Sequence, residues 1–180
     1  MSDDGGTHYR VREQPTDPQV TADTVRSTWH PWPDVEITTW LTATAPWHVR
    51  THRIRTARAL HTGEGGFAVD RDAGTDRETG PAYARVSAPA GLTGLHDLDG
   101  RREGEVVDCL PGTNVLARRT ALPVLLGRLP PGEHWLRCAV LGVPSGDEAE
   151  TTWRQPPAIA PLPTIAHPAT AAHPTMGDGT

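Results

Sequence analysis

Aromatic and cationic side chains are concentrated in one stretch of the chain, between positions 29 and 53. Four of the six tryptophans fall there, although the whole chain has only one phenylalanine and two tyrosines. Indole and guanidinium groups suit surfaces that meet sugars, carboxylates or another domain. The stretch therefore predicts a sugar-binding or interface surface. Its members are Trp29, His30, Trp32, Trp40, Trp47, His48, Arg50, His52 and Arg53.

The position of Trp40 raises the question of what covers its indole. Apolar and polar residues alternate over Asp34–Thr42, which is typical of a half-buried strand. This alternation puts Trp40 on the same face as Glu36, Thr38 and Thr42, so that face is not an ordinary core. Three partners for the indole remain open: a sugar ring, another domain, or the proline-rich C-terminal segment.

The histidine and aspartate patterns do not predict a metal site. His48 and His52 have the spacing of a metal pair on a helix, but their segment is predicted to be a strand. Four residues of strand span roughly 13 Å, whereas two nitrogens on one zinc each lie about 2 Å from the metal. The acidic run 70–78 lacks the glycine and glutamate positions of a calcium loop, so we predict a solvated hairpin loop there. The sequence predicts neither a metal nor a cofactor.

No residue is predicted to be catalytic. Asp97 and Asp99 are paired carboxylates, but the run H-D-L-D-G is typical of a turn. Gly63–Phe67 (G-E-G-G-F) is predicted to be a turn rather than a phosphate loop, because no helix and no lysine follow it. All 17 basic residues are arginines, which excludes lysine chemistry. We therefore expect no catalytic activity from the isolated chain.

Composition and charge exclude several other classes of function. The formal net charge is −5 and no basic block is present, so we expect no nucleic-acid partner. The most apolar stretch, Ala121–Leu129, is too short for a membrane span. The polar start M-S-D-D-G-G differs from a secretory signal, which predicts a cytoplasmic protein or a fragment. Cys109 and Cys138 lie in apolar runs and are predicted to be buried free thiols.

The chain divides into three regions. Residues 1–23 are predicted to be a flexible lead-in, 24–153 an ordered domain, and 154–180 a disordered Pro/Ala-rich tail. Pro31 and Pro33 predict a stiff loop around Trp32. Short strands separated by turns, with no amphipathic helix, predict an all-β fold, an antiparallel β-sandwich. The predicted strands are Asp34–Thr42, Trp47–Thr56, Phe67–Asp70, Tyr83–Ser87, Glu105–Leu110, Thr113–Ala117, Leu122–Leu126 and His134–Val143.

Several spaced segments between Arg26 and Val143 resemble one bacterial family. They include S-T-W-H-P-W-P-D-V-E-I-T-T-W-L, P-W-H-V-R-T-H-R-I-R-T-A-R and E-G-G-F-A-V, followed by P-G-T-N-V-L-A-R-R-T-A-L-P-V-L-L-G and P-P-G-E-H-W-L. The family is catalogued as domain of unknown function twenty-two sixty-four. Its full-length members resemble glycoside hydrolases of the β-glucuronidase type, with an N-terminal (α/α) toroid and a C-terminal β-domain. The β-domain is also similar to the β-sandwiches of heparinase-like lyases.

This resemblance implies that the chain is the C-terminal β-domain without the catalytic toroid. The expected partners are an (α/α) toroid and a glycan that contains uronic acid. The domain would buttress the toroid and line the rim of its sugar cleft. Three alternatives remain open: an independent carbohydrate-binding module, a truncated, non-functional copy, and a small enzyme whose site the sequence does not reveal. Arg118 and Arg119 depart from the family pattern, which commonly has a histidine nearby, and no catalytic residue transfers to this chain.

Overall fold

The computed structural model describes residues 2–3, 16–71, 74–109, 119–159 and 161–162. Within them the chain forms thirteen strands and one short helix, α1 (Asp147–Trp153). The strands are β1 (Ser2–Asp3), β2 (Thr16–Val20), β3 (Thr24–Trp32), β4 (Val35–Thr44), β5 (Trp47–Thr56), β6 (Leu60–Gly65), β7 (Val69–Asp70), β8 (Asp76–Gly80), β9 (Tyr83–Ala88), β10 (Gly91–Asp97), β11 (Glu103–Cys109), β12 (Thr120–Leu129) and β13 (Gly132–Val143).

The strands form two antiparallel sheets, which confirms the predicted β-sandwich. The larger sheet has the order β2-β3-β4-β5-β13-β10-β9-β8. The smaller sheet has the order β1-β6-β12-β11, and β7 also pairs with β12. β13 lies between β5 and β10 in the larger sheet, a central position that fits the burial of its consecutive residues Cys138 to Leu141 on both faces.

The core lies between the inner faces of the two sheets. At one end, Leu95 and Val140 of the larger sheet cluster with Leu125 of the smaller sheet. At the other end, a second cluster is formed by Val35, Ile37, Ile54 and Leu136 from the larger sheet with Leu60 and Leu129 from the smaller. The pleat of β4 directs Val35 and Ile37 inward, as the alternation predicted, so the sequence period sets which face is buried.

A third cluster lies on the outer face of the larger sheet, where α1 covers it. Ala149 and Trp153 of the helix pack with Trp47, Leu92 and Leu141. Gly94 makes room for this contact, since a Cβ built there would lie 2.4 Å from the Trp153 ring. The sequence shows no amphipathic pattern here, because a helix of 7 residues is too short to show amphipathic periodicity.

Two predicted turns are strands in the structure. Gly63 and Gly65 belong to β6, where Leu126 and Leu122 lie over them within 3.4 Å of any added Cβ. These glycines therefore reflect close packing rather than a turn. The segment around Trp32 is likewise the end of β3 and not a loop, with an irregular register between Trp29 and Trp32 near Pro31.

The remaining differences concern elements that the patterns missed. Strand β10 was not predicted, and Asp76–Gly80 forms strand β8 within the predicted hairpin loop. Strand β2 lies in the predicted lead-in but pairs with β3 as an edge strand. The predicted strand Thr113–Ala117 and residues 163–180 lie outside the described residues. Residues 154–159 and 161–162 form no helix or strand, as predicted for the tail.

Candidate functional site

The pleat of the larger sheet divides the predicted surface residues between its two faces. On β5, His48, Arg50 and His52 point to the inside of the sandwich, opposite Ala43, Leu41 and Thr39 of β4. Trp47 and Arg53 point to the outside, as does Trp40 on β4. The sequence therefore placed these residues on the correct strands, but they do not form one continuous surface.

On the outer face, Trp40 stacks on Trp135 of β13. Their ring centroids are 5.5 Å apart with an interplanar angle of 24°. The guanidinium of Arg26 lies 5.7 Å from the Trp40 ring, and that of Arg53 lies 5.9 Å from the Trp135 ring. Both distances are typical of cation–π contacts. We call these four residues the Trp–Arg face.

The partner of the Trp40 indole is thus another residue of the same sheet. Trp40 is only 8% exposed, whereas Trp135 is half-buried and contributes most of the accessible aromatic surface. Sequence reasoning missed Trp135, although its alternation with Leu136 in β13 indicates an outward direction. Its stacking on Trp40 depends on the strand order, because β5 separates β13 from β4, and no local pattern reveals that order.

A charged rim lies at one end of the Trp–Arg face. Glu133 accepts hydrogen bonds from Arg53 Nη2 (2.7 Å) and Arg55 Nε (2.9 Å). These bonds lower the pKa of Glu133 to about 2, so its carboxylate stays ionised. Glu36 lies 3.5 Å from Arg55 and 3.6 Å from His30, which is itself exposed. The rim therefore combines accessible cations with paired carboxylates.

The other predicted residues have separate surroundings. Trp32 packs against the inner core, and the Arg58 guanidinium lies 5.7 Å from its ring. Trp47 is buried under α1, with its ring 6.1 Å from that of Trp153. His48 is exposed and contacts Phe67, whose ring is 6.4 Å away. These residues therefore contribute to neither the Trp–Arg face nor one shared pocket.

Inside the sandwich, a cavity of about 290 Å³ opens between β6 and the inner face of β3, β4 and β5. We call it the inter-sheet cavity. Trp29, Ile37, Ile54 and Leu136 form its apolar walls, and its polar lining consists of Thr39, His52, Thr62, Gly63, Glu64 and Arg102. Of the predicted residues, the cavity thus brings together Trp29 and His52.

A chain of hydrogen bonds crosses the polar lining. His52 lies between the Thr39 hydroxyl, 2.9 Å from Nδ1, and the Glu64 carboxylate, 3.0 Å from Nε2. Arg102 donates to the other oxygen of Glu64 at 2.9 Å. Arg50 reaches the same region and donates to the Gly65 carbonyl at 2.9 Å. The network therefore joins three strands from the two sheets.

Arg102 connects this network to the loop that precedes β11. Its Nη2 and Nε donate to Asp97 Oδ1 at 2.7 and 3.0 Å, and Nη2 also donates to the Arg137 carbonyl. Its side chain is 3% exposed and lies over Gly127, where an added Cβ would be 2.8 Å from Arg102 Cγ. Asp97 also accepts the backbone N–H of Arg102. Asp97 is therefore a fixed structural partner.

The electrostatics of the network keep Glu64 ionised. Burial alone would raise the pKa of Glu64, but His52 and Arg102 outweigh it and hold that pKa well below its usual range. Burial raises the pKa of Cys138, which remains a thiol beside Glu64. An ionised Glu64 accepts hydrogen bonds at neutral pH but has no proton to give as a general acid.

Glu64 was missed because it stood in a segment predicted to be a turn, and Asp97 was considered but interpreted as a turn residue; Arg102, just after that second turn, was not singled out. Cys138 is buried as predicted, whereas Cys109 is half-buried, and both are free. Within the described residues, no group of three or more His, Cys, Asp or Glu side chains is placed to hold a metal ion. None of the described helices has the length and apolar character that a membrane span needs.

Comparison with known proteins identifies the family. The model described as "DUF2264 C-terminal domain" matches residues 1–168. The chain belongs to this family. The match confirms the resemblance seen in the tryptophan-rich segments. No curated protein matches the chain significantly.

Solved structures share the fold. Heparan sulfate lyase HepC from Pedobacter heparinus is similar with a TM-score of 0.54 and 8% identity, over 73% of this chain and 22% of that chain. A mutant of the same lyase gives a TM-score of 0.55, also at 8% identity, over 74% of this chain and 22% of that chain. This chain therefore spans only about a fifth of the length of the structures it matches. At this identity the likeness concerns the fold alone.

Proposed function

We propose that this chain is the accessory β-domain of a carbohydrate-active protein. In this proposal it packs against an (α/α) toroid and lines the rim of the toroid's sugar cleft. The observation that carries the proposal is the fold match to 22% of heparan sulfate lyase HepC, in which a similar fold is one part of a longer, glycan-degrading chain. The family description, a C-terminal domain, supports the same reading.

The Trp–Arg face is the surface that best suits docking. It lies on the outside of the larger sheet, beside the region that α1 already covers. Tryptophan and arginine are typical anchors at the centre of interfaces, and a charged rim surrounds such anchors. Trp135 would supply the central contact, with Arg26 and Arg53 on the two sides of the ring pair.

The rim supports contact with a glycan that contains uronic acid. Arg55 is 50% exposed, so its guanidinium can contact a carboxylate of the glycan in addition to Glu133 and Glu36, with which it is already paired. His30 is exposed beside it, on the same edge of the face. A rim that combines arginine and histidine beside the half-buried Trp135 ring suits a cleft in which acidic sugars pass between the domain and the toroid.

The test is to measure binding of the purified chain to a separately produced toroid from a longer family member. We expect association, and we expect Trp135→Ala and Arg55→Ala each to weaken it by about 1–3 kcal/mol, the usual range for interface anchors. Arg77→Ala is the matched control, because Arg77 pairs with Asp108 away from this face. Sedimentation velocity gives the affinity, and thermal melts verify that each variant is folded. Equal effects of all three variants, or no association, would refute docking through this face.

A further inference from the structure

The inter-sheet cavity is separate from the Trp–Arg face and lies on the opposite side of the larger sheet. Its volume of about 290 Å³ is close to the lower end of ligand pockets, which start near 300 Å³. This volume suits one small ring rather than a chain of sugar units. Trp29 and Ile37 face each other across neighbouring strands, and Ile54 continues the apolar wall.

The polar side of the cavity is built from groups held in place. The Thr39 hydroxyl has one donor and two acceptor sites, and the contact with His52 engages only one of them. The Thr62 hydroxyl donates weakly to the Gly127 carbonyl at 3.3 Å and keeps its acceptor sites. Glu64 adds a carboxylate with several acceptor positions, oriented by His52 and Arg102.

The backbone of Gly63 adds a further donor and acceptor. Gly66 N donates to the Pro123 carbonyl of β12. Every second residue of a strand bonds the same neighbour in an antiparallel ladder, so the residues that bond β12 are those an even number of positions from Gly66. Gly63 is three positions away, and its N–H and C=O therefore point away from β12. The carbonyl of Gly65, two residues further along β6, also points away from β12, because it accepts a hydrogen bond from Arg50. Among the described residues, β1 pairs only with Leu60 and His61 of this edge.

The charges around the cavity nearly cancel. Glu64 and Asp97 are countered by Arg102 and Arg50, all within the hydrogen-bonded network. An anion would therefore meet guanidinium groups that already bond carboxylates, and it would face the ionised Glu64. A ligand with several hydroxyl groups and no net charge can instead share the acceptor sites without disturbing any ion pair.

We propose that the inter-sheet cavity binds a single neutral sugar ring. The ring's hydroxyl groups bond Thr39, Glu64 and the Gly63 backbone, and its C–H face packs against the apolar wall that Trp29 and the two isoleucines form. This site goes beyond the accessory role, since it requires no toroid. The two sites would also bind different ligands: the rim of the Trp–Arg face suits negatively charged uronates, whereas the inter-sheet cavity suits uncharged sugar rings.

The test is a titration of the isotope-labelled full chain with glucose, galactose, mannose and glucuronate, followed by two-dimensional NMR. We expect saturable shifts at Gly63 and Thr39 for at least one neutral sugar, with a dissociation constant on the order of 1 mM for so small a ligand. Glucuronate should bind more weakly. Thr39→Val keeps the shape and removes the hydroxyl, so it should weaken binding roughly tenfold.

Thr38→Val is the matched control, because Thr38 is the adjacent residue on the opposite face and bonds Thr28. It should leave sugar binding unchanged. Thr62→Leu fills the cavity and leaves the hydrogen bonds of His52 intact, so it should abolish sugar binding. This variant provides the test if Thr39→Val does not fold. Three outcomes would overturn the proposal: no saturable shifts at Gly63 and Thr39 with any neutral sugar, tighter binding of glucuronate than of neutral sugars at these same two residues, or binding unchanged in both cavity variants. Toroid association is measured separately, so either proposal can fail alone.

Discussion

Arg102 is the residue on which the interior polar network depends. It is almost fully buried and bonds two carboxylates, Glu64 and Asp97, from different parts of the chain. Burial lowers the pKa of Arg102, but the two carboxylates outweigh it and raise that pKa above its usual value. A buried ion pair contributes little more to stability than apolar side chains of the same volume would. Removal of one partner, however, is strongly destabilising, because the other charge stays buried without a counter-charge.

We expect Arg102→Met to reduce the free energy of unfolding by about 3–5 kcal/mol, since two carboxylates then lose their buried partner. Arg101→Met is the matched control, because the neighbouring side chain is exposed, and its effect should stay within about 0.5 kcal/mol. Urea unfolding followed by circular dichroism measures both changes. Similar values for the two variants would contradict a central role for Arg102.

At the scale of elements, the sequence predicted strands well where side chains alternate and poorly where glycines interrupt the pattern. β4 was predicted to within a few residues because its alternation reflects one buried face, and the predictions for β5 and β13 were equally close. β6 was missed because Gly63 and Gly65 looked like turn residues, and β10, which contains Gly94, was not predicted. Each of these glycines lies beneath a side chain from elsewhere in the fold, a tertiary cause that no local pattern contains.

The helix α1 is attached to the outer sheet face through His96. The His96 ring lies 4.0 Å from that of Trp153, and its Nε2 donates to the Trp153 carbonyl at 3.1 Å. Burial lowers the pKa of His96, although the Trp153 carbonyl and Glu78 act in the opposite direction. In the unfolded chain histidine titrates near 6.5, at about its ordinary pKa. The unfolded state therefore binds the proton more readily than the folded state does.

It follows that the free energy of unfolding should fall as the pH drops below about 6.5 toward the lower pKa of folded His96, and should not depend on His96 above that range. His96→Gln keeps a donor for the Trp153 carbonyl but does not titrate, so this part of the pH dependence should disappear. Melting temperatures between pH 5 and 8, with hydrogen exchange of residues 147–153, provide the measurement. Identical pH profiles for the two proteins would show that His96 does not attach α1.

At the scale of the whole molecule, the fold class and family were predictable, but the arrangement of the site was not. The tryptophan-rich segments carried the resemblance, and the short strands indicated a sandwich. The predicted surface, however, assumed one face. The pleat sends Trp40 and Arg53 outward and His52 inward, so the same segment contributes to an outer face and to an inner cavity. The remaining partners, Trp135 and Glu64, come from distant strands that only tertiary pairing brings close.

We propose that this domain assists a carbohydrate-active protein and does no chemistry alone. The most direct measurement is turnover of uronic-acid glycosides by the purified chain, by a toroid from a longer family member, and by the two together. We expect no turnover above background for the chain alone, and a higher rate or tighter substrate binding for the mixture than for the toroid. Turnover by the chain alone, abolished by one carboxylate substitution such as Glu64→Gln in a variant that still folds, would contradict it.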